Sequence, residues 1–181
     1  MRENELWRRV VDSGDERALG ELYDLYVDRA FWHAARTATD RRDAEDAVAV
    51  AFLELWRRRR DVRLVDGSPL PWLLATTTNA LRNLQRSAAR HRKLIDTIPR
   101  GQHGASAEDE AFADEAVRAA LAPLSALDRQ LVALVLLEGF TGEEAATTLG
   151  LTPGTARTRL SRARARLRTL LPTPTIREDT A

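Results

Sequence analysis

The chain has 181 residues, with 28 basic and 27 acidic side chains, a formal net charge of +1 and no cysteine. Without thiols there is no disulfide framework, no thiolate nucleophile and no cysteine-based zinc site. Hydrophobic residues at 44% and charged residues at 30% fit a soluble globular protein of one domain or two small ones, and apolar runs reach only seven residues, as at Leu131–Leu137, against the roughly 20 a membrane span needs.

The start of the chain, with Glu3 and Glu5 close to Met1 and no apolar stretch, does not read as a secretory signal, so a cytoplasmic protein is expected. Charge is segregated along the sequence. Residues 1–55 carry a net −5, residues 56–100 a net +8, residues 101–150 a net −7 and residues 151–181 a net +5. Two acid-then-basic units in series suggest two modules, each with one basic end. The cations are arginines apart from Lys93. Arginine suits bidentate recognition of phosphate or guanine, although an arginine-rich genome gives the same bias.

Strand signals are nearly absent, and Ala and Leu recur with helical periodicity, so the fold class is all-α. In chain order, His33 first shares a helix face with Leu22 and Tyr26, which marks it as a satisfied core histidine. Asp40 then opens a helix running to about Arg60, with acids in its first turn and Arg57–Arg60 in its last, in keeping with the macrodipole. Its core stripe is Ala44, Val48, Ala51, Phe52 and Leu55. The other side carries Asp43, Asp46, Val50, Leu53 and Arg57. Val50 and Leu53 form a second apolar patch rimmed by charge, which reads either as a protein-binding face or as a helix buried on both sides. The clustered acids are explained by the helix start rather than by a metal, and no metal site is expected.

A further helix runs from near Ser68 to about Lys93. Trp72, Thr76, Asn79, Asn83, Arg86, Arg90 and Lys93 share one face, opposite Leu70, Leu73, Leu74, Thr77, Leu81 and Leu84. Amides and cations in line suit single-stranded nucleic acid, and Trp72 itself fits a core position. Between Asp96 and Phe112, Pro99, Gly101, Gly104 and Ser106 interrupt all periodicity. Residues 1–95 are therefore read as one helical domain, 96–115 as a flexible linker, 116–171 as a second helical domain and 172–181 as a disordered tail.

Three helix starts mark the second domain. Ser125 with Asp128 caps the first helix, which Gly139 ends. Thr141 with Glu144 forms a capping box for a short second helix that stops at Gly150. Thr152 caps the third, with Pro153 in its first turn. A short helix, a glycine turn and a longer basic helix make a helix-turn-helix pattern. On the third helix Ala156, Leu160, Ala163, Leu167 and Leu171 line up as the core stripe. Thr155, Thr158, Ser161, Arg162, Ala165 and Thr169 face away, flanked by Arg157, Arg164 and Arg168 on one side and Arg159 and Arg166 on the other. Small residues admit close approach to a groove while arginines reach phosphates. The competing reading is a solvated charged face on a bundle helix. Catalysis finds no support: there is no H-x-x-x-H, Gly-rich phosphate loop or G-x-S-x-G, and neither catalytic residues nor a cofactor are expected.

Taken together, the two modules resemble the extracytoplasmic-function sigma factors of the sigma-70 family over about residues 15–95 and 116–171. Asp43 to Trp56 is similar to the family's region 2.1–2.2 helix, and Trp72 and Leu73 followed by Asn79, Asn83 and Arg86 to the segment that holds the −10 promoter element. Leu151 to Leu167 resembles the region 4.2 recognition helix for the −35 element. The resemblance implies a region 2 helical bundle and a region 4 helix-turn-helix. It implies that Asp43, Asp46, Val50, Leu53 and Arg57 bind core RNA polymerase. Asn79, Asn83, Arg86 and Arg90 would then contact the −10 element, and Thr155, Arg157, Thr158, Arg159 and Arg162 the −35 element. Promoter DNA and core polymerase are the expected partners, with a cognate anti-sigma factor by family analogy and no membrane insertion. Two departures stand out. Ala49, Val50 and Ala51 replace a frequent Gln-Glu-Thr, and Ala75 and Thr78 replace frequent basic positions. The alternative is a stand-alone helix-turn-helix regulator with an N-terminal helical sensor or dimerisation domain.

Overall fold

The computed structural model describes residues 2–95 and 115–170. The expected linker, apart from residue 115, and the expected tail lie outside the described residues, as does Leu171. Among the described residues the chain is helical, and its one β-type contact is an isolated bridge between Val65 and Ser68.

The N-terminal half contains α1 (Arg2–Ser13), α2 (Glu16–Ala35), α3 (Arg41–Arg57) and α4 (Leu70–Ile95). Helix α1 has no counterpart in the sequence reading; it buries Leu6, Trp7 and Val10, a single stripe too short to declare itself by periodicity. Asp15 caps α2 by accepting from the Arg17 and Ala18 amides at 2.9 and 3.1 Å, and Arg9 holds its carboxylate from α1 at 2.6 Å. Asp40 caps α3 as expected, accepting from the Asp43 amide at 2.7 Å. Ala44, Val48, Ala51, Phe52 and Leu55 are all buried, joined by Ala47. Helix α4 starts with Pro71 in its first turn, where no amide is needed. Its run Thr76, Thr77 and Thr78 is accommodated because each hydroxyl donates to the carbonyl four residues back, at 2.8, 2.9 and 3.1 Å.

The C-terminal half contains α5 (Glu115–Leu121), α6 (Ala126–Val132), α7 (Gly142–Leu149) and α8 (Pro153–Leu170). Helix α6 runs directly into a π-helical turn, Ala133–Leu137, closed by the Glu138 amide donating to the Ala133 carbonyl at 3.1 Å. Gly139, at φ +79°, then ends it where expected. The run Leu131–Leu137 is apolar on all sides, and Leu131 and Val132 at the end of α6 are buried along with Ala133 and Leu134 of the π turn.

Helix α4 lies at the centre. It packs against α2 and α3 of its own half and against α6, the π turn and α7 of the other. One hydrophobic core accordingly runs through both halves, from Trp7, Leu22, Leu55, Leu73 and Leu74 to Leu131, Leu134, Ala145 and Leu160. A smaller cluster of Leu121, Leu124, Val132, Ala163 and Leu167 lies within the C-terminal half. The helices expected of two modules are present, but they share most of their apolar interior. All four tryptophans (Trp7, Trp32, Trp56 and Trp72) belong to the N-terminal half. Leu134→Ala, which removes a fully buried side chain from the other half, should cost about 2–5 kcal/mol. In urea titrations, the tryptophan fluorescence transition should shift together with the circular dichroism transition. A fluorescence midpoint left at the wild-type value would mean that the halves unfold independently.

Candidate nucleic-acid and protein interfaces

The C-terminal site is built on a helix-turn-helix whose ends are fixed by local chemistry. The Thr141 hydroxyl accepts from the Glu144 amide at 3.2 Å, and the Glu144 carboxylate accepts from the Thr141 amide at 2.6 Å. These amide and hydroxyl hydrogen bonds hold the Glu144 carboxyl below its usual range. Gly150 turns the chain at φ +66°, while the Leu151 amide returns to the Ala146 carbonyl at 2.8 Å. A Cβ at Gly150 would also lie 2.8 Å from the Arg63 guanidinium, which reaches this turn from the N-terminal half. Thr152 then accepts from the Thr155 amide at 3.2 Å and starts α8.

Helix α8 buries Ala156, Leu160, Ala163 and Leu167. Thr155, Thr158, Ser161, Arg162, Ala165 and Thr169 are all exposed, and so are Arg157, Arg164, Arg166 and Arg168. Four of the five expected −35 residues, Thr155, Arg157, Thr158 and Arg162, thus stand on an open face. Arg159 differs. It is half-buried and pairs with Asp128 of α6 at 2.9 Å, a contact 31 residues away that the helical wheel could not reveal. Burial pushes the Asp128 carboxyl up, but the Ser125 hydroxyl and the Arg159 guanidinium outweigh it and hold the acid below its usual range. Arg159 therefore braces α8 against α6 beside a groove lined by Gly154, Thr155, Thr158 and Arg162.

On α4, Asn83, Arg86 and Arg90 are exposed, whereas Trp72, Thr76 and Asn79 are half-buried. These last three line an open cleft whose far wall is Gln130, Thr148 and Leu149 of the C-terminal half. Gln130 donates to the Ala75 carbonyl at 2.9 Å. The structure explains both departures on this helix. Ala75 and Thr78 are buried, and a long cation at either would have to displace packed neighbours. The side chain of Lys93 lies outside the described residues.

The α3 face is open. Asp46, Val50, Leu53 and Arg57 are exposed and Asp43 is half-buried, which excludes a helix buried on both sides. Val50 and Leu53 are 40% and 56% accessible. Tyr23 of α2, itself partly exposed, stacks on Phe52 at 4.8 Å and extends apolar surface from α3 onto α2. Nothing in the α3 pattern indicates Tyr23; it requires knowing how α2 and α3 cross.

The fourth cluster joins the halves. Glu138, at the end of the π turn, accepts from Arg29 Nε at 3.1 Å and Arg36 Nη1 at 2.8 Å, and pairs with His33 Nδ1 at 2.9 Å. Arg36 also donates to the Leu137 carbonyl at 2.8 Å. The other ring nitrogen of His33 hydrogen-bonds with the Thr78 hydroxyl of α4 at 2.7 Å. His33 is thus the buried, satisfied histidine its position implied. Burial pushes the Glu138 carboxyl up, but the hydrogen bond and charge of His33, aided by Arg29 and Arg36, outweigh it and hold the acid below its ordinary value of 4.5. A carboxyl lowered on folding contributes stability that is complete above its unfolded value and lost as pH falls through the folded one. Acidification below about pH 4.5 should therefore lower the melting temperature of wild type more steeply than that of Glu138→Gln. Parallel pH profiles would remove the linkage. If the exposed face of α8 binds duplex DNA, Arg162→Ala should lower the salt slope of that binding by about one.

Comparison with known proteins gives a consistent result. Residues 22–91 match the family described as Sigma-70 region 2, and residues 114–167 match Sigma-70, region 4. The chain is 31% identical over 170 residues to the ECF RNA polymerase sigma factor SigE of Mycolicibacterium smegmatis, an alignment covering 88% of this chain and 65% of that protein. This chain thus spans a little under two thirds of that relative. It is 31% identical over 161 residues to the ECF RNA polymerase sigma factor SigM of Mycobacterium tuberculosis, covering 88% of this chain and 80% of that one. Its fold is similar to that of CnrH in complex with the cytosolic domain of CnrY, at 26% identity, with a TM-score of 0.59 and coverage of 94% and 97% of the two chains.

Proposed function

The chain belongs to the extracytoplasmic-function group of the sigma-70 family, and from that membership we propose that it binds core RNA polymerase, recognises the −10 and −35 elements of promoters and promotes DNA opening. The observation that carries this reading is the presence, in order along one chain, of the region 2 helices and a capped helix-turn-helix with an open, arginine-flanked face on α8.

Each surface has a physical task. The N-terminal turn of α8 presents Thr155, Arg157 and Thr158, where the helix dipole favours an approaching phosphate. Arg162 lies one turn on, within reach of a base edge or the next phosphate. In the N-terminal half, Asn79, Asn83, Arg86 and Arg90 hold the unpaired non-template strand, offsetting the few kcal/mol that unstacking a base costs. The α3 patch of Val50 and Leu53, rimmed by Asp43, Asp46 and Arg57, docks on the polymerase. The chain performs no bond chemistry of its own; opening is favoured because it binds open DNA more tightly than closed. A stand-alone helix-turn-helix regulator would leave the Val50 and Leu53 surface without a use. An anti-sigma factor as a further partner is supported by the likeness to CnrH, whose structure is a complex with the cytosolic domain of CnrY. A cytoplasmic site of action follows from this role; among the described residues no helix is long and apolar enough to cross a membrane.

The test combines the purified chain with core polymerase on a promoter library and maps transcript starts. Specific starts dependent on the chain are expected, and their absence together with failure to bind core would sink the reading. Val50→Asp combined with Leu53→Asp should weaken core binding by two orders of magnitude or more, about 2.7 kcal/mol or above. The same variant should retain its duplex DNA affinity and its melting temperature. Loss of all three would mean that these side chains serve the core instead.

A further inference from the structure

We propose that Asp128 is a positioning residue for DNA binding: it holds the Arg159 guanidinium in the groove between α6 and α8 and so withholds one cation from DNA phosphates. The inference rests on the promoter reading of α8, while the pairing stands on contacts alone.

The carboxylate is fixed on both sides. Asp128 is the third residue of α6, and its amide donates to the Ser125 hydroxyl at 3.1 Å. The same hydroxyl donates to Asp128 Oδ2 at 2.7 Å, which leaves Oδ1 to accept from Arg159 Nη1 at 2.9 Å. The Asp128 side chain is 20% exposed and that of Arg159 38%, so the pair sits at the rim of the seam between α6 and α8 rather than inside it. The interior of that seam is already filled by Leu124, Val132, Ala163 and Leu167. A half-exposed ion pair at its rim adds little to stability. Its larger effect is on where a positive charge is available.

Among the described residues Arg159 is the one arginine of α8 paired with an acid, whereas Arg157, Arg162, Arg164, Arg166 and Arg168 are exposed. The groove that holds the pair is also lined by Thr155, Thr158 and Arg162, side chains of the face assigned to DNA, and by Arg166. A phosphate entering this groove meets a carboxylate beside the guanidinium, and Arg159 can engage it only by giving up Asp128. A contact to phosphate strengthens binding to every sequence alike. Neutralising one arginine beside the open face therefore lowers affinity for DNA of any sequence, while Thr155, Thr158 and Arg162 keep their access to base edges. Random sites far outnumber any specific one, so a lower background leaves more of the chain for the sites it reads. The carboxylate is thus a built-in repulsive element set against indiscriminate binding.

The test measures binding of the full chain to a random-sequence duplex across a range of salt concentrations. Asp128→Asn keeps the shape of the side chain and an oxygen for Ser125 while releasing Arg159. This variant should bind about fivefold more tightly at roughly 0.1 M salt, and its salt slope should steepen by about 0.9, the increment for one additional phosphate contact. A brace and nothing more would lower the melting temperature and leave both DNA readouts where they were. Asp128→Gln, neutral and suited to the third position of a capped helix, takes its place if Asp128→Asn fails to fold. Adding Arg159→Ala to the neutral variant should return affinity and slope to wild-type values. Wild-type affinity and slope in a folded neutral variant would overturn the inference. A gain that survives Arg159→Ala would overturn it as well, because the carboxylate would then act by its own repulsion and not through Arg159. Arg162→Ala is measured in parallel to separate the two levels of the argument. If it too leaves the slope unchanged, the promoter reading of α8 falls; a slope lowered by Arg162→Ala but unmoved by Asp128→Asn confines the failure to Asp128.

Discussion

Helix α4 has to satisfy two neighbours at once, and the rest of the structure follows from that constraint. Its leucines fill the interior made with α2 and α3, while the small Ala75 and Ala80 line the cleft that the other half of the chain closes. A helix enclosed this way has little room for side-chain donors that lack acceptors. The three consecutive threonines meet the demand by turning their hydroxyls onto the preceding turn. Helix α4 is therefore both the keel of the N-terminal bundle and the seat of the C-terminal one. A surface that reads as a free nucleic-acid face on a wheel is, over half its length, the wall of a cleft.

What the sequence disclosed and what it withheld divide along chemical range. Caps were legible because their partners sit three residues away: Asp40, Ser125, Thr141 with Glu144, and Thr152 all act as their spacing implied. The core stripes of α3 and α8 were legible because a helix repeats itself. Val50 and Leu53 needed only the observation that they fall outside such a stripe. By contrast, His33 and Glu138 meet across 105 residues, and Arg159 finds Asp128 across 31. Neither pairing leaves a local trace. Charge and aromatic content divide the sequence into two parts, yet composition cannot report that the interiors of those parts merge.

The near-zero net charge also gains a physical meaning. Acidic groups of the C-terminal half do not merely cancel the arginines elsewhere in the chain. Glu138 engages Arg29 and Arg36 of the other half, and Asp128 engages Arg159 within its own. Charges spent inside the molecule hold helices together, and charges left outside, on α8 and at the end of α4, define where a polyanion can bind. An overall charge counts both kinds alike, which is why it predicts so little about partners.

The π turn at Ala133–Leu137 sets the bearing of everything after it. An α-helix advances about 100° per residue, so one residue more or fewer rotates the following chain by more than a quarter-turn. With the extra residue in place, Glu138 points at α2 and α7 emerges over α4. The direction in which α8 faces relative to the N-terminal bundle is thus written into a single-residue offset. A family that kept every helix and every contact type, but shed that residue, would present the same arginine-flanked face of α8 to a different side of the molecule.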